Sequence, residues 1–199
     1  MRILAFSDLH CDLDHARRLE TLAADVDVVV GAGDFSNLGQ GLEVTADLLR
    51  RIGKPAVLVA GNGENVAQLR AACGDCPAVA ILHGESATIG GVTFYGVGGA
   101  IPVTPFGSWS WDFSETQGRA LLADCPLNAV LVVHAPPKGV LDTSSRGLSV
   151  GSEAVRETIL AKRPRLAVCG HVHESGGRWL RLGETPVINA GPAGLIWEL

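Results

Sequence analysis

A long apolar run is missing from the start of the sequence. The first apolar stretch, residues 3–6, ends at the polar pair Ser7-Asp8. The core of a signal peptide takes about 7–15 apolar residues, and a membrane-spanning helix takes about 20. The sequence therefore predicts neither a signal peptide nor a membrane span, and we expect a cytoplasmic protein with no membrane partner.

Positive charge is also in short supply. The chain has 16 Lys and Arg residues against 21 Asp and Glu residues, which gives a formal net charge of −5 with His neutral. Proteins that bind long nucleic acids usually present a broad basic face, because contacts to the phosphate backbone dominate their affinity. Long nucleic acid is therefore a poor candidate for a partner of this protein.

Cysteines are few and odd in number, which excludes a fully paired disulfide framework. The five are Cys11, Cys73, Cys76, Cys125 and Cys169. Without a secretion signal, we expect them to be reduced thiols. Cys73 and Cys76 have the spacing of a redox or zinc motif, but the sequence has no second such pair. We therefore interpret these two as ordinary loop thiols.

The composition is that of one globular domain. Apolar residues make up 47% of the 199 residues and charged residues 19%, and the chain has no internal repeat, low-complexity stretch or linker. A chain of this length can bury a substantial core by itself. We expect a single domain spanning residues 1–199.

Short apolar runs alternate with helical patterns along the chain. Five runs bounded by Gly and polar residues predict buried strands: residues 3–6, 26–30, 55–60, 129–133 and 166–169. Helical patterns occupy residues 12–24, 40–52, 64–73, 114–123 and 151–162. This alternation predicts an α/β fold with a largely parallel sheet. Further β-rich segments, residues 92–97, 186–190 and 194–197, predict a second sheet packed against the first.

Each of the five strands is followed by residues that can bind a metal ion. These residues are Asp8, His10, Asp34, Asn62, His134, His171 and His173. In open α/β sheets the ligand site lies beyond the carboxyl ends of the strands. We therefore expect the seven side chains to meet at one edge of the sheet and to form a metal site.

The chemistry of this set favours two divalent transition-metal ions. Two carboxylates, one amide and four imidazoles suit Mn, Fe, Zn, Co or Ni better than Mg or Ca. Asp8 and His10 are two residues apart on an extended segment, so both can grip one ion, and His171 and His173 repeat this spacing. Asp34 has two oxygens and could bridge two ions. A pair of ions about 3.5–4 Å apart stabilises the attacking and departing oxygens of a displacement, and a phosphoester is the natural substrate.

The same residues resemble the motifs of a known family. The blocks Asp8-Leu9-His10, Gly33-Asp34, Gly61-Asn62, His134 and Gly170-His171-Val172-His173 are similar, in order and spacing, to those of the calcineurin-like metallophosphoesterases. The resemblance covers nearly the whole chain and is nearest to the small bacterial and archaeal members. It implies the metallo-dependent phosphatase fold, a four-layer αββα sandwich with two mixed β-sheets, and it makes a homo-oligomer possible.

The resemblance also implies a division of labour within the site. Asp8, His10, Asp34 and His173 would hold one ion, and Asp34, Asn62, His134 and His171 the other. A hydroxide bridging the ions would be the nucleophile, with Asp34, Asn62 and His134 as the catalytic residues. Manganese is the metal we expect first, with Fe, Zn, Ni or Co as alternatives.

One position departs from the family pattern. Many members have His after the Asn and use it to assist the leaving group, whereas this chain has Asn62-Gly63-Glu64. Gly63 cannot donate a proton. His83 or Glu64 could replace that function, although the sequence does not place His83 at the site. We therefore expect activity on activated aryl phosphodiesters to exceed activity on alkyl monoesters.

Other polar and aromatic groups have two interpretations each. Residues 106–113 carry four aromatic side chains, which favour either a loop folded over its own apolar cluster or a substrate lip. Lys138 and Arg146 could contact a phosphate, but solvated loop positions explain them as well. His15 and His83 lie outside the ligand pattern, and we expect surface or loop positions for them.

The leading functional hypothesis is a phosphodiesterase acting on small phosphodiesters or nucleotides. A phosphomonoesterase or protein phosphatase would use the same metals, but such enzymes generally carry more arginines and the His that is missing at Gly63. A scaffold whose site has decayed and binds partner proteins is the third alternative. The intact His134, His171 and His173 argue against decay.

Overall fold

The computed structural model of the protein describes residues 1–74 and 76–199. The helices in this part are α1 (Leu13–Leu22), α2 (Leu42–Ile52), α3 (Val66–Cys73), α4 (Glu115–Leu122) and α5 (Glu153–Lys162). The strands are β1 (Arg2–Phe6), β2 (Val28–Ala32), β3 (Ala56–Val59), β4 (Val79–Ile81), β5 (Glu85–Ile89), β6 (Val92–Val97), β7 (Val130–Val133), β8 (Leu166–Cys169), β9 (Arg178–Leu182), β10 (Thr185–Asn189) and β11 (Leu195–Glu198).

The strands form two mixed sheets. The first has the order β11-β1-β2-β3-β4, in which β11 runs antiparallel to β1 and the other neighbours are parallel. The second has the order β5-β6-β7-β8-β10-β9, with a parallel centre and an antiparallel strand at each edge. The prediction of an α/β fold with two mixed sheets is confirmed.

Side chains of alternate strand residues build the layers, because successive residues of a strand point to opposite faces. In β1, Ile3 and Ala5 pack in the core between the two sheets, where they meet apolar residues of β7 and β8. Leu4 and Phe6 pack on the outer face with α1, α2 and α3. The outer face of the second sheet packs against α4 and α5. The result is the expected αββα arrangement.

Three strands were predicted in the wrong sheet. The runs before His134 and His171 are β7 and β8, which lie in the second sheet, so the five ligand-bearing strands do not share one sheet. The last strand, β11, joins the first sheet beside β1. Both sheets present buried parallel strands of Val, Leu and Ala, so composition alone cannot distinguish their members.

Three of the strands, β4, β5 and β9, were not predicted from the sequence. β4 has only three residues, while β5 and β9 are largely exposed edge strands with polar residues such as Glu85 and Arg178. Edge strands need little apolar surface, so their composition resembles that of loops.

The cysteines and helices bear on two further expectations. Asp75, within the segment that begins at Cys73 and ends at Cys76, lies outside the described residues, but all five cysteines are described and are free thiols. No helix in residues 1–74 or 76–199 combines the length and apolar character required to cross a membrane.

Candidate metal centre

The loops after β1, β2 and β3 of the first sheet meet the loops after β7 and β8 of the second. Hydrogen bonds join the two sets of loops: the N–H of His171 donates to Oδ1 of Asp8 at 2.9 Å, and Nδ1 of His134 lies 2.8 Å from the carbonyl of Ala32. The site therefore lies where corresponding edges of the two sheets come together.

The structure brings the sequence-predicted candidates into two groups. Asp8, His10 and His173 form one, and Asp34, His134 and His171 form the other, with the donor atoms of each group within 4.8 Å of one another. Three donors this close, from segments far apart in sequence, are typical of a metal site. The grouping is compatible with the division of ligands that the family resemblance implies.

Asp34 lies between the two groups. Its Oδ2 is 3.8 Å from Nε2 of His10, in the first group, and its Oδ1 is 3.6 Å from Nε2 of His134, in the second. The N–H of Gly63 donates to Oδ1 at 2.8 Å and fixes the orientation of the carboxylate. Asp34 can therefore offer one oxygen to each group.

Asn62 faces the second group through its amide oxygen. This oxygen lies 2.9 Å from Nδ1 of His171 and 3.1 Å from Nε2 of His134. The orientation is fixed by Ser110, whose hydroxyl donates to Asp112 at 2.5 Å and accepts from Nδ2 of Asn62 at 2.9 Å. With its proton committed to Asp112, Ser110 can only accept from Asn62, so the amide oxygen must point into the site.

Two of the imidazoles are held by backbone carbonyls. Nδ1 of His10 is 3.0 Å from the carbonyl of Ser36, and Nδ1 of His134 is 2.8 Å from the carbonyl of Ala32. A carbonyl can only accept, so Nδ1 carries a proton in both residues and Nε2 is the nitrogen that faces the site. Such partners commonly orient histidine ligands of metals.

The donor set fits divalent cations. Nε2 of His10 lies 3.3 Å from Nε2 of His173, which brings two potential lone pairs face to face. Nε2 of His173 is also 3.6 Å from Oδ1 of Asp8. A cation between these atoms would replace lone-pair repulsion by coordination, and the mixture of nitrogen and oxygen donors suits a transition metal.

Burial and charge set the protonation of the site. Burial lowers the pKa of His171 to about 4, and the neighbouring His134 adds to that effect, so His171 is a neutral imidazole near neutral pH. Burial opposes ionisation of Asp8, but His173, His134 and Ser7 together lower the pKa of Asp8 below its ordinary value. Metal ligands bind in these forms, as neutral imidazole and ionised carboxylate.

In two other imidazoles, those of His134 and His173, the pKa is raised by neighbouring acidic residues. For His134, burial favours the neutral form, but the charges of Asp34 and Asp8 outweigh it and raise the pKa. A hydrogen bond to Asp8 raises the pKa of His173. The centre therefore stabilises positive charge, whether it is carried by a proton or by a metal ion.

The backbone at the site adopts an uncommon conformation. Asp8, His10, Asp34 and His171 have φ angles of 54°, 44°, 55° and 68°, in the left-handed region that residues other than Gly seldom occupy. Such conformations persist only where the surroundings enforce them, and they concentrate at functional sites. Four of the seven predicted ligands share this feature.

The buried carboxylate of Glu64, whose position was not predicted from the sequence, joins the loop after β2 to the loop after β3. Oε1 of Glu64 accepts from the N–H of Gly61 at 2.9 Å and of Phe35 at 3.2 Å. Oε2 accepts from the N–H and hydroxyl of Ser36, at 3.1 and 2.8 Å. Burial and the charge of Asp34 raise the pKa of Glu64, while these hydrogen bonds oppose the rise. Glu64 therefore has a positioning role and is not free to act as a proton donor.

Gly61 is required by the closeness of the same two loops. A Cβ on this residue would clash with the backbone nitrogen and Oδ1 of Asp34. At Gly63, by contrast, a Cβ would lie 3.2 Å from Oδ1 of Asp34, which a small shift can accommodate. The loop therefore needs Gly at position 61 but not at position 63.

Ser7 and Asn189 support the remaining loops and were also missed. The Ser7 hydroxyl donates to Oδ2 of Asp8 at 2.5 Å, and the buried Nδ2 of Asn189 donates to the carbonyls of Gly170 and Val172 at 3.1 and 2.9 Å. Asn189 thus holds the segment that carries His171. No spacing pattern in the sequence announces these contacts.

The aromatic loop has two parts. Trp111 and Phe113 pack with the half-buried His83, whose ring centroid lies 4.8 and 5.2 Å from theirs. Phe106 and Trp109 stay about half exposed and stack on each other at 5.4 Å. The first part is the apolar cluster expected of a self-packed loop. The second part leaves aromatic surface next to the metal centre.

The other candidates lie outside the two ligand groups. His15 is on α1 and pairs with Asp12 at 3.2 Å. Nδ1 of His83 accepts from the N–H of Gly98 at 3.3 Å. Lys138 donates to the carbonyl of Ser149 at 2.7 Å, a structural contact within its own loop. Arg146 is exposed.

Comparisons with known proteins agree with this geometry. A family model described as calcineurin-like phosphoesterase matches residues 1–175. An uncharacterized protein of Methanocaldococcus jannaschii is 29% identical over an alignment of 204 positions. The alignment covers 96% of this chain and 88% of the relative. Human metallophosphoesterase domain-containing protein 1 is 28% identical over an alignment of 206 positions. That alignment covers 82% of this chain and 59% of the human protein. A solved structure from Thermus thermophilus has a TM-score of 0.74 at 20% identity, covering 96% of this chain and 90% of that one.

Proposed function

Since the chain belongs to the calcineurin-like phosphoesterase family, and is a metal-dependent phosphoric ester hydrolase, we propose that it acts preferentially on small phosphodiesters. The family implies a dinuclear site for divalent metals, and the two groups of Asp and His residues are its candidates. Small phosphoesters are the substrates that the family implies.

We assign each ligand to one of two ions. Asp8, His10 and His173 would hold the first, and Asn62, His134 and His171 the second, with Asp34 offering an oxygen to each. When bound, the ions would supply an activated water and neutralise the phosphate charge. Manganese is our first candidate for the metal. The free thiols support a reducing compartment, and we propose the cytoplasm.

The preference for a diester rests on the lack of cationic side chains at the centre. In the part of the chain that the structure describes, no Lys or Arg side chain is hydrogen-bonded or ion-paired to any of the seven proposed ligands. A phosphomonoester carries close to two negative charges at neutral pH, whereas a phosphodiester carries one. A centre whose proposed ligands have no Lys or Arg partner among the described residues suits the smaller charge better.

Gly63 adds a preference for good leaving groups. It lies beside Asp34 and brings no side chain that could protonate a departing oxygen. Glu64 cannot take that role, because four donors already occupy its carboxylate. We propose that activated aryl diesters are cleaved faster than alkyl esters.

Hydrolysis of bis-p-nitrophenyl phosphate and of p-nitrophenyl phosphate, each with added Mn²⁺, tests the proposal. We expect a higher kcat/KM for the diester, and elemental analysis of the purified protein should find two divalent ions per chain. A higher kcat/KM for the monoester would overturn the diester preference. Absence of turnover with every metal tried would overturn the proposed activity altogether.

Two histidine variants show whether this centre carries the reaction. His134→Ala removes a buried proposed ligand and should lower kcat by roughly a hundredfold or more, since even the outer partners of metal ligands cost about 10–100-fold. His15→Ala, on the surface of α1, is the matched control and should retain full activity. Equal rates for the two variants would exclude His134 from the reaction.

A further inference from the structure

A cavity of about 280 Å³ lies between the loop after β3 and the aromatic loop. Gly63 lines one side, Trp109 and Trp111 line another, and Leu38 and Gln68 are also part of the wall. An engineered protein cavity of about 150 Å³ is large enough to bind benzene. This cavity therefore has room for a single aromatic ring or for a larger planar ring system.

The cavity borders the metal centre. Gly63, in its wall, donates its N–H to Oδ1 of Asp34 at 2.8 Å. Ser110, also in its wall, accepts from the side chain of Asn62 at 2.9 Å, and the backbone N–H of Trp111 donates to the carbonyl of Asn62 at 3.0 Å. Wall residues of the cavity are thus hydrogen-bonded directly to two of the proposed ligands.

The wall of the cavity carries two indole rings among mostly polar residues. Among the described residues that line it, none is a Lys or Arg, and the carboxylate of Glu64 is occupied by backbone and Ser36 donors. A second phosphate would find no cationic partner in this part of the wall. A planar uncharged ring would find the indole of Trp109 and the amide of Gln68, and stacking of rings on exposed aromatic side chains is a common mode of recognition.

The two tryptophans are held in place by other rings. Phe106 stacks on Trp109 with an angle of 12° between the ring planes, and His83 and Phe113 pack against Trp111. Gly63 contributes only backbone to the wall, so no side chain separates the cavity from Asp34 at this position. Because Gly63 has no side chain, the site lacks a proton donor at this position. For the same reason the cavity is open towards the metal centre.

We propose that this cavity is a subsite for the planar ring of the substrate, an aryl group or a nucleobase, which stacks on Trp109. The inference rests on the proposed phosphoesterase site, where the phosphate of the same molecule would bind. It deepens that proposal by naming the part of the substrate that determines specificity.

Two non-hydrolysable ligands isolate the contribution of the ring. Phenylphosphonate and methylphosphonate share the charged head and differ only in the ring, so calorimetric titration of each into the manganese-loaded protein measures what the ring contributes. We expect phenylphosphonate to bind roughly tenfold more tightly, in the range typical of stacking. Trp109→Ala should remove that difference and leave the affinity for methylphosphonate unchanged.

A second pair of ligands distinguishes a nucleobase from a simple aryl group. Adenosine 5′-monophosphate should bind more tightly than ribose 5-phosphate if the cavity accepts a purine. If the ring raises the affinity only in the phosphonate pair, the cavity accepts a simple aryl group and not a purine. That result also supports the subsite. Trp179→Ala is the matched control, because Trp179 on β9 is 48% exposed, as is Trp109, and lies outside the cavity.

Equal affinities within both ligand pairs, or a ring effect that survives in Trp109→Ala, would overturn the subsite. For the phosphonate pair this result is independent of turnover, since the carbon–phosphorus bond of these ligands is not hydrolysed. Loss of the proposed diester preference would instead appear in the kinetic comparison of diester and monoester. The two failures can therefore be told apart.

Discussion

The buried carboxylate of Glu64 joins the loop that carries Asp34 to the loop that carries Asn62, and Glu64→Gln measures what this link contributes. Each carboxylate oxygen accepts two hydrogen bonds, from Gly61 and Phe35 on one side and from Ser36 on the other. A glutamine side chain has the same shape, but its NH₂ group cannot accept. Whichever way the amide turns, some of the four donors lose their partner.

The least costly orientation sets the expected magnitude. If the NH₂ replaces Oε2, it can donate to the Ser36 hydroxyl, which can donate to the carbonyl of Gly63 at 3.0 Å. Only the N–H of Ser36 is then left without an acceptor, and one buried unsatisfied donor costs about 1–3 kcal/mol. Loss of the cost of burying a charge, and of the repulsion between Glu64 and Asp34, offsets part of this. We expect a net loss of about 1–2 kcal/mol in the free energy of unfolding.

Urea unfolding at about pH 8 is the assay, because the raised pKa of Glu64 calls for a pH well above the ordinary value for Glu. For a chain of this size the loss corresponds to a fall of roughly 2–8 °C in Tm. The matched control is Glu85→Gln, which removes an exposed carboxylate paired with Arg70 at 2.9 Å, a type of pair that contributes about 0–1 kcal/mol. If Glu64→Gln is as stable as the native protein, or no less stable than the control, Glu64 does not hold these loops together.

Two further substitutions test the orientation of Asn62 and the dependence of stability on pH. Ser110→Ala removes the acceptor that orients Asn62 and should weaken binding of one of the two ions by roughly tenfold in a metal titration. Ser108→Ala is the control and should not weaken binding. Equal metal affinities in the two variants would contradict the orienting role of Ser110. Burial opposes ionisation of Asp142, but the Ser149 hydroxyl and two backbone N–H groups lower its pKa. Its ionised form therefore stabilises the fold above about pH 4, the ordinary value, and this stabilisation is lost as the pH falls through the lower folded pKa. Asp142→Asn should reduce stability at neutral pH, and the difference from the native protein should shrink in acid; a difference that is constant with pH would contradict this.

The helices and central strands were predictable because their signals are local. The pattern over residues 40–52 predicted α2, which spans Leu42–Ile52, and the run of residues 166–169 coincides with β8. Apolar spacing and short β-branched runs reflect burial directly, so they survive without knowledge of the partner strand. Which sheet a strand joins depends on contacts between distant segments, and for β7, β8 and β11 the sequence carried no such information.

The candidate ligands were predictable for a different reason. Asp, Asn and His at the ends of five strands are a chemical pattern that is visible in the sequence alone. Glu64, Ser110 and Asn189 were not placed by that reasoning, because their partners lie in other loops and the contacts have no fixed spacing. The hydrogen bond between Asn62 and Ser110, for example, spans 48 positions.

The strained backbone of the proposed ligands explains why these supports are needed. A left-handed conformation costs roughly 1–2 kcal/mol for a residue other than Gly, and Asp8, His10, Asp34 and His171 each adopt one. Hydrogen bonds from supporting residues offset part of that cost, and Glu64 alone accepts four. The proposed ligands and their supports therefore form one energetic unit. A change in a supporting residue that contacts no ion should alter metal affinity and stability together, whereas a change on the far surface of α1 should alter neither.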